Sequence, residues 1–264
     1  MVRKTETMRK LIIAYIRFWF KSTNQHGVHS PFVYNLVTQC FYDKRSYPNY
    51  KALLNYRTDL LNNTNTIEVT DLGAGSQVMV SHIRSVKAIA KNAGSTRYRA
   101  KLLLRLVHYF KFKNILELGT SLGIATYAMH LGNTKAKITT IEGCPNIANF
   151  TKAQLNHYNT SNITIKTGDF AEVIPSLKSE TYDFIYIDGN HQKQATLHYF
   201  NELLDCAHNN TVFIFDDINW SQGMFDAWKT IVNHPRVTVS IDTFFWGFVF
   251  LRTEQTKEHF TIRL

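Results

Sequence analysis

The sequence predicts a doubly wound α/β fold whose mostly parallel sheet ends in an antiparallel hairpin, with a helical N-terminal appendage before it. From Asn114 onward, short apolar runs alternate with segments of helical spacing, which is the pattern of a parallel sheet covered by helices. A glycine-rich turn joins the first of these runs to its helix. The last two runs are too close together for a helix between them, so they must pair antiparallel.

The composition describes a globular chain with a basic surface. Its 264 residues are 44% hydrophobic and 19% charged, which excludes a disordered protein and allows one large domain or a domain with an appendage. The 30 Lys and Arg outnumber the 20 Asp and Glu, giving a net charge of +10. Nucleic acid, an anionic membrane surface or an acidic small molecule would suit that charge, and so would a plain role in solubility.

Cysteine usage and hydropathy predict a cytoplasmic protein. Cys40, Cys144 and Cys206 are widely spaced and form no C-x-x-C pair, which argues against disulfides and zinc knuckles and fits a reducing compartment. No apolar run reaches the roughly 18 residues that span a bilayer. The nearest candidate, Leu11 to Phe20, is followed by no small-residue cleavage site, so no signal peptide is expected.

Residues 1–94 are expected to form the helical appendage or lid, with the domain boundary at Gly94-Ser95-Thr96. In residues 1–22, apolar side chains recur at helical spacing between basic ones, at Leu11, Ile12, Tyr15, Ile16 and Trp19. We favour a helix docked on its own domain over one that lies on a membrane surface.

The rest of the appendage contains a helix start and a second glycine turn. Ser30 and Pro31 suit the first positions of a helix that runs to Phe41. The preceding His26 and His29 are either structural residues, metal ligands or part of a substrate lid. Asp71–Ser76 follows an apolar run, but no second strand ending in an acid comes about 20 residues later. We therefore assign Asp71–Ser76 to a structured turn near the substrate mouth.

The core elements follow one another in a regular order. The predicted strands are Ile115–Leu118, Lys137–Ile141, Ile163–Lys166, Tyr182–Ile187, Thr211–Phe215, Val237–Ile241 and Gly247–Leu251. Helices are predicted at Tyr98–Phe110, from Ile124, and at Ala148–Tyr158, Phe170–Leu177, Lys193–Cys206 and Ser221–Val232.

The turn after the first core strand departs from the dinucleotide-binding fingerprint. That fingerprint is G-x-G-x-x-G, whereas this turn has the spacing Glu117-x-Gly119-x-Ser121-x-Gly123. An acid at the strand end would repel a phosphate and attract an ammonium group. The spacing resembles the first motif of the class I methyltransferases that use S-adenosylmethionine (SAM), a Rossmann-like family in which this turn wraps the methionine part of the cofactor.

Acidic residues end five successive strands of the predicted core. They are Glu117, Glu142, Asp169, Asp188 and the pair Asp216-Asp217. Since ligands of open α/β sheets bind outside the carboxyl ends of the strands, these acids are expected to surround one site. The resemblance implies that Glu142 binds the ribose diol and Asp169 the adenine amine. It implies a cofactor-binding set of Glu117, Gly119, Thr120, Ser121, Gly123, Glu142, Gly143, Gly168, Asp169 and Asp188.

Two of these strand ends resemble the metal-dependent, catechol-type O-methyltransferases, in which acids after the fourth and fifth strands hold a divalent ion. The resemblance implies Asp188, Asp216 and Asp217 as metal ligands, and three carboxylates suit Mg²⁺. The family often has Asn where Asp217 stands. Without metal, His191 is the candidate general base, since imidazole exchanges protons near neutral pH. A local helix-start role for His191 stays open, and Asp188 and His191 are the catalytic candidates.

The resemblance covers Ser95 to Arg252 and implies a SAM-dependent O-methyltransferase of small-molecule hydroxyls. The aromatic residues Trp220, Phe244, Phe245 and Trp246 are either substrate walls or core of the hairpin. Two alternatives stay open: a nucleic-acid (RNA) methyltransferase, and a membrane-associated scaffold that binds the cofactor without activity. Asp188-Gly-Asn-His lacks the Asn/Asp-Pro-Pro-aromatic tetrapeptide of base amino-group methylation, which disfavours the first. A homodimer is compatible with the sequence.

Overall fold

The computed structural model describes residues 2–70 and 82–264, so the predicted turn at Asp71–Ser76 lies outside the described residues. The N-terminal elements are α1 Val2–Lys21, α2 Pro31–Leu36, α3 Tyr50–Asn62, β1 Thr66–Glu68, β2 Ile83–Ser85, α4 Val86–Asn92 and α5 Arg97–Phe110. They are followed by β3 Asn114–Leu118, α6 Ile124–Gly132, β4 Lys137–Glu142, α7 Pro145–His157, β5 Ile163–Thr167, α8 Phe170–Val173, β6 Tyr182–Ile187, α9 Lys193–Leu203, β7 Ala207–Phe215, α10 Gln222–Asn233, β8 Val239–Asp242, β9 Gly247–Phe250 and β10 Glu258–Thr261.

Side-chain caps set the starts of several helices. The Ser30 hydroxyl accepts a hydrogen bond from the Val33 amide, and Pro31 fills the first turn of α2, which continues as a π-helical turn to Phe41. Thr96 caps α5 in the same way, through the Arg99 amide. The helix start predicted at Ser30 and Pro31 is confirmed, and α5 begins at Arg97, one residue before the predicted Tyr98.

The central sheet confirms the predicted fold class. Among the described residues it has eight strands in the order β10-β8-β9-β7-β6-β3-β4-β5. Strands β3 to β7 are parallel, and β9 runs antiparallel to both β7 and β8, as the hairpin prediction required. Strand β10, which pairs parallel with β8, was not predicted. The short strands β1 and β2 pair antiparallel in a separate sheet.

The strand order creates a crevice at the centre of the sheet. From β3 the chain moves outward through β4 to β5, and then returns to place β6 on the other side of β3. At such a reversal the flanking loops diverge and leave room for a ligand at the carboxyl ends of the strands. The crevice between β3 and β6 is therefore where the fold favours a binding site.

The N-terminal helices share their hydrophobic core with the sheet. Tyr56 of α3 is fully buried, stacks on Tyr127 at 4.7 Å and donates its hydroxyl hydrogen to the Leu122 carbonyl at 2.8 Å. The buried Arg105 guanidinium donates to the carbonyl of Cys40 at 2.8 Å. The boundary at Gly94 stays a prediction, and continuous apolar packing crosses it.

Helix α1 packs on its own chain, but not through all the side chains that its spacing indicated. Phe18 is buried against Phe244, with ring centroids 5.4 Å apart, and Tyr15 contacts the same ring at 4.9 Å. The opposite side carries the exposed stripe, made of Ile12, Ile13, Ile16, Trp19 and Phe20. Spacing alone identified a helix and could not show which side would meet the domain. Among the helices of the described residues, none has the length and apolar character needed to cross a membrane.

Candidate active site

A cavity of about 600 Å³ lies at the carboxyl ends of the central strands, at the crevice between β3 and β6. Most of the predicted site residues line it, namely Gly119, Ser121, Glu142, Gly143, Gly168, Asp169, Asp188, His191, Asp216 and Asp217. Glu117, Thr120 and Gly123 are not in its lining. His26 and His29 also lie outside the lining, and both are exposed. The structure thus brings together the acids of four strand ends and leaves the fifth aside.

The turn after β3 depends on glycine at its first position. Gly119 has φ of +104°, a conformation that residues with a Cβ rarely adopt. A methyl group at this position would stand 2.8 Å from the carbonyl carbon of Asp188 and closer still to its oxygen. Gly119 is therefore needed because the loops after β3 and β6 touch backbone to backbone at the floor of the cavity.

At Gly123, glycine is required by side chains that pack behind the turn. Its φ is +73°, and an added Cβ would meet the Tyr56 hydroxyl and the Thr151 side chain at 2.8 Å each. The Thr151 hydroxyl also donates to the Ser121 carbonyl at 2.7 Å. Gly123 thus lets α3 and α7 close on the back of the turn, away from the cavity.

The carboxylate of Glu142, at the end of β4, is fixed by two backbone amides. Ser121 N donates to Oε2 at 2.8 Å, and Cys144 N donates to Oε1 at 2.9 Å. The first bond ties the acid to the turn after β3, so strand and turn present one rigid edge to the cavity. A carboxylate held in this way keeps acceptor capacity for a pair of ligand hydroxyls.

The loop after β5 places a second acid at the cavity. Gly168 has φ of +149° and donates its amide hydrogen to the Glu142 carbonyl at 3.0 Å. Asp169 caps the short helix α8 by accepting from the Ala171 amide at 2.8 Å. One carboxylate oxygen of Asp169 therefore serves the cap, which fixes the orientation of the side chain in the cavity wall.

Glu117 was expected to attract an ammonium group of the ligand, but its side chain does not face the cavity. Its side chain is fully buried, and Oε2 accepts from the Thr126 hydroxyl at 2.5 Å and from the Thr140 hydroxyl at 2.7 Å. Thr120 is also buried, with its hydroxyl 2.6 Å from that of Thr140. Glu117, on β3, points toward Thr126 of α6, and neither Glu117 nor Thr120 is in the lining of the cavity. Burial raises the pKa of Glu117 to about 8, with smaller opposing contributions from the two hydroxyls.

We expect Glu117→Gln to stabilise the protein above neutral pH. In the native chain the carboxyl stays protonated up to about pH 8, whereas in the unfolded chain it ionises near its ordinary value of 4.5. The wild type therefore loses stability as pH rises through that window, by up to about 1.4 kcal/mol per pH unit, and the neutral amide does not. Urea unfolding of both proteins from pH 4 to 9 measures this. A difference independent of pH would contradict the buried, protonated state.

Where the loops after β6 and β7 meet the cavity, two carboxylates pair with one guanidinium and a third carboxylate lies beside them. Nη1 of Arg99, from the first turn of α5, donates to both oxygens of Asp216 at 3.1 Å, and Nη2 lies 3.7 Å from Asp217. Asp188 accepts from the Tyr186 hydroxyl at 2.9 Å. His191 Nε2 lies 3.9 Å from Asp188 Oδ1, which is beyond hydrogen-bond range. The imidazole is thus next to the cluster and is not locked into it.

Crowding of these carboxyls raises their pKa values. Burial is the largest cause for all three: together with the charge of Asp188 it raises the pKa of Asp216 to about 7, and together with the charge of Asp216 it raises that of Asp217 to about 6. Arg99 opposes the rise in each case. The cluster therefore depends on the positive charge of Arg99.

The predicted metal ligands do not fit a divalent ion in this arrangement. Mg²⁺ needs several oxygens converging at about 2.0–2.1 Å. Here the guanidinium faces both oxygens of Asp216, and in residues 2–70 and 82–264 no group of three acid, His or Cys side chains is placed to hold a metal. A cation from the chain itself lies where Asp188, Asp216 and Asp217 were expected to hold an ion.

Arg99 was missed in the sequence, although a signal for it was present. It lies in the first turn of α5, where the helix dipole disfavours a positive charge. A cation at that position indicates an anionic partner elsewhere.

The four aromatic residues expected as substrate walls or hairpin core fall into two groups. Trp220, Phe244 and Phe245 line the cavity, whereas Trp246 is buried in the core beside Tyr186. Phe245 also lies under the Arg99 guanidinium, at 4.9 Å from the ring centroid.

Comparison with known proteins gives matches to methyltransferases. Residues 116–218 match the family model described as a methyltransferase domain. A catechol O-methyltransferase from Niastella koreensis is 30% identical over 125 residues, which cover 46% of this chain and 56% of that protein. The match therefore spans little more than half the length of this relative.

Solved structures of methyltransferases share the fold. The SAH-bound methyltransferase PaMTH1 from Podospora anserina aligns with a TM-score of 0.59 and 16% identity, over 85% of this chain and 97% of its own. The O-methyltransferase from Bacillus cereus in complex with SAH gives 0.52 and 20%, over 81% and 95%. TomG from Streptomyces achromogenes, an O-methyltransferase of tomaymycin synthesis in complex with SAM, gives 0.54 and 17%, over 61% and 82%.

Residues 116–218 match a methyltransferase domain, and the sheet order and the glycine turn agree with the class I type. Within that class the chain resembles the catechol-type O-methyltransferase branch. The class predicted from the sequence is thereby confirmed.

Proposed function

We propose that the protein is a SAM-dependent O-methyltransferase that acts on a hydroxyl group of a small molecule. The position of Glu142 supports this most directly, because two amides orient its carboxylate into a cavity at the reversal point of a methyltransferase fold. The similarity to a catechol O-methyltransferase supports a hydroxyl as acceptor.

The cavity offers distinct places for cofactor and acceptor. Glu142 and Asp169 suit the ribose and adenine, while the turn at Gly119 and Ser121 allows close approach of the methionine part. The acceptor would lie between the carboxylate cluster and the aromatic wall of Trp220 and Phe245. The bound cofactor supplies the reactive methyl group, and the chain supplies alignment, worth roughly 7–11 kcal/mol in well-oriented systems.

Removal of the acceptor proton falls to His191 or Asp188 in this proposal. Both line the cavity, and the 3.9 Å between them leaves each free to meet a hydroxyl. The proposal uses no Mg²⁺, since Arg99 provides the positive charge of the cluster. The two alternatives are an enzyme that methylates RNA and a scaffold that binds the cofactor without activity. An activity assay distinguishes both from the proposed reaction.

Cofactor binding is tested by calorimetric titration with S-adenosylhomocysteine (SAH). We expect micromolar binding to the wild type and a loss of about 100-fold or more in Glu142→Ala, because two charge-assisted hydrogen bonds are removed. Glu172→Ala, which removes an exposed acid of α8, is the matched control and should bind like the wild type. Equal binding by Glu142→Ala would contradict the assigned ribose site.

The reaction is tested with SAM and a panel of hydroxylated aromatic compounds, with and without a chelator, by mass spectrometry of the product. Addition of one methyl group, unchanged by the chelator, is the expected result. Methylation of RNA alone would favour the nucleic-acid alternative. SAH binding without transfer to either class of acceptor would favour the scaffold.

A further inference from the structure

The exposed stripe of α1 is an apolar face turned to solvent. Phe20 is 85% exposed, Ile12 55% and Trp19 50%. A helix on the surface of a globular protein ordinarily buries its apolar side and presents polar residues to water. Here the side that faces water is made of large branched and aromatic side chains, and contiguous apolar surface of this kind marks an interaction site.

The stripe is held in a fixed orientation. The other side of α1 is anchored by Phe18 and Tyr15 on Phe244, and Phe244 itself lies in the cavity wall. Leu11, one helical turn from Tyr15, also lines the cavity. The exposed stripe is therefore presented by a docked helix whose other side reaches the cavity wall.

Positive charge accompanies the stripe. The sequence of α1 contains one acid, Glu6, against Arg3, Lys4, Arg9, Lys10, Arg17 and Lys21. Arg17 and Lys21 are exposed and, at 3.6 residues per turn, fall along one edge of the stripe. At Trp19 the Arg263 guanidinium lies over the ring, 4.4 Å from its centroid. The chain as a whole has a net charge of +10.

We propose that α1 lies on an anionic lipid surface, with its exposed stripe in the interfacial region and its basic edge on the headgroups. An apolar face with aromatic residues, bordered by Lys and Arg, is the composition that binds at this depth. A second copy of the chain suits the stripe less well, because a two-fold contact would bring the same basic residues of both copies together. This inference does not depend on the proposed reaction.

The experiment is co-sedimentation with vesicles of phosphatidylglycerol and phosphatidylcholine. We expect the wild type to bind them, to bind pure phosphatidylcholine at least about tenfold more weakly, and to be released by about 0.5 M salt. Ile16→Ser/Phe20→Ser should lower the partition coefficient at least about 30-fold, since two apolar side chains no longer leave water. Tyr34→Ser, at an exposed residue of α2, is the control and should bind like the wild type.

Charge reversal and sedimentation velocity separate lipid binding from self-association of the chain. Arg17→Glu/Lys21→Glu should abolish the preference for anionic vesicles. Unchanged SAH binding and melting temperature in every variant would show that only the surface has changed. Failure of the wild type to bind vesicles, equal binding by the stripe variant, or a dimer in sedimentation velocity that the stripe variant dissociates would each overturn the proposal.

Discussion

Gly119→Ala should abolish measurable SAH binding, a loss of at least about 1000-fold in affinity. The added Cβ would stand 2.8 Å from the Asp188 carbonyl carbon, so the loops after β3 and β6 would have to separate. The φ of +104° adds strain in a residue with a Cβ. Neither neighbour is a flexible side chain, so the displacement spreads through both loops of the cavity floor. Calorimetry gives the affinity, and urea unfolding should show about 2–4 kcal/mol of lost stability.

Gly223→Ala is the matched control for this substitution. Gly223 lies in the first turn of α10. The atom nearest to its added Cβ would be Lys193 Cβ, at an ordinary contact distance of 3.5 Å. Alanine favours helix over glycine by up to about 1 kcal/mol. The control should therefore keep full SAH affinity and be equally or more stable. Unimpaired SAH binding by Gly119→Ala would show that the two loops do not meet as described.

Arg99→Ala should destabilise the protein by about 3 kcal/mol, because it leaves the buried carboxylate of Asp216 and the half-buried one of Asp217 without their cation. The same substitution should create a metal site. With the guanidinium gone, Asp216 and Asp217 lose their cation and can turn their oxygens, the ligands that Mn²⁺ and Mg²⁺ accept, toward an ion. Millimolar Mn²⁺ should therefore raise the melting temperature of Arg99→Ala by several degrees and leave the wild type unchanged.

Two further variants make the Arg99 prediction specific. Arg99→Lys keeps the charge but loses the forked contact, so it should be intermediate in stability and gain no response to Mn²⁺. Arg99→Ala/Asp216→Asn should recover part of the stability and lose the Mn²⁺ response. Stabilisation of the wild type by Mn²⁺ that Asp216→Asn abolishes would show that the ion displaces Arg99 and would contradict the arrangement described.

The parallel core was predictable because its elements are regular in the sequence. Apolar strands of similar length alternate with helices, and each strand ends in an acid, so topology alone brings Glu142 and Asp188 to one cavity. Strand β10, with the sequence Glu-His-Phe-Thr, has no such apolar run and is held by pairing with β8. Its existence depends on a tertiary neighbour that periodicity does not reveal.

The parts of the site that escaped prediction depend on side-chain direction and on distant contacts. Glu117 ends a strand like the other acids, but its side chain points to the buried face of the sheet, where Thr126 and Thr140 receive it. Arg99 and Asp216 are separated by 117 positions, so no local pattern links them. The helical period placed α1 correctly and left open which of its two apolar sides would meet the protein.

The buried Tyr56 has a consequence for engineering by segment exchange. Its hydroxyl holds the Leu122 carbonyl within the glycine turn, and it fills the space that Gly123 leaves open. A chimera that took its N-terminal helices from a relative, in order to import another acceptor preference, would also replace the residue that supports the turn proposed to bind the cofactor. Such a graft has to retain the Tyr56 contact with Gly123, or acceptor choice and cofactor affinity will change together.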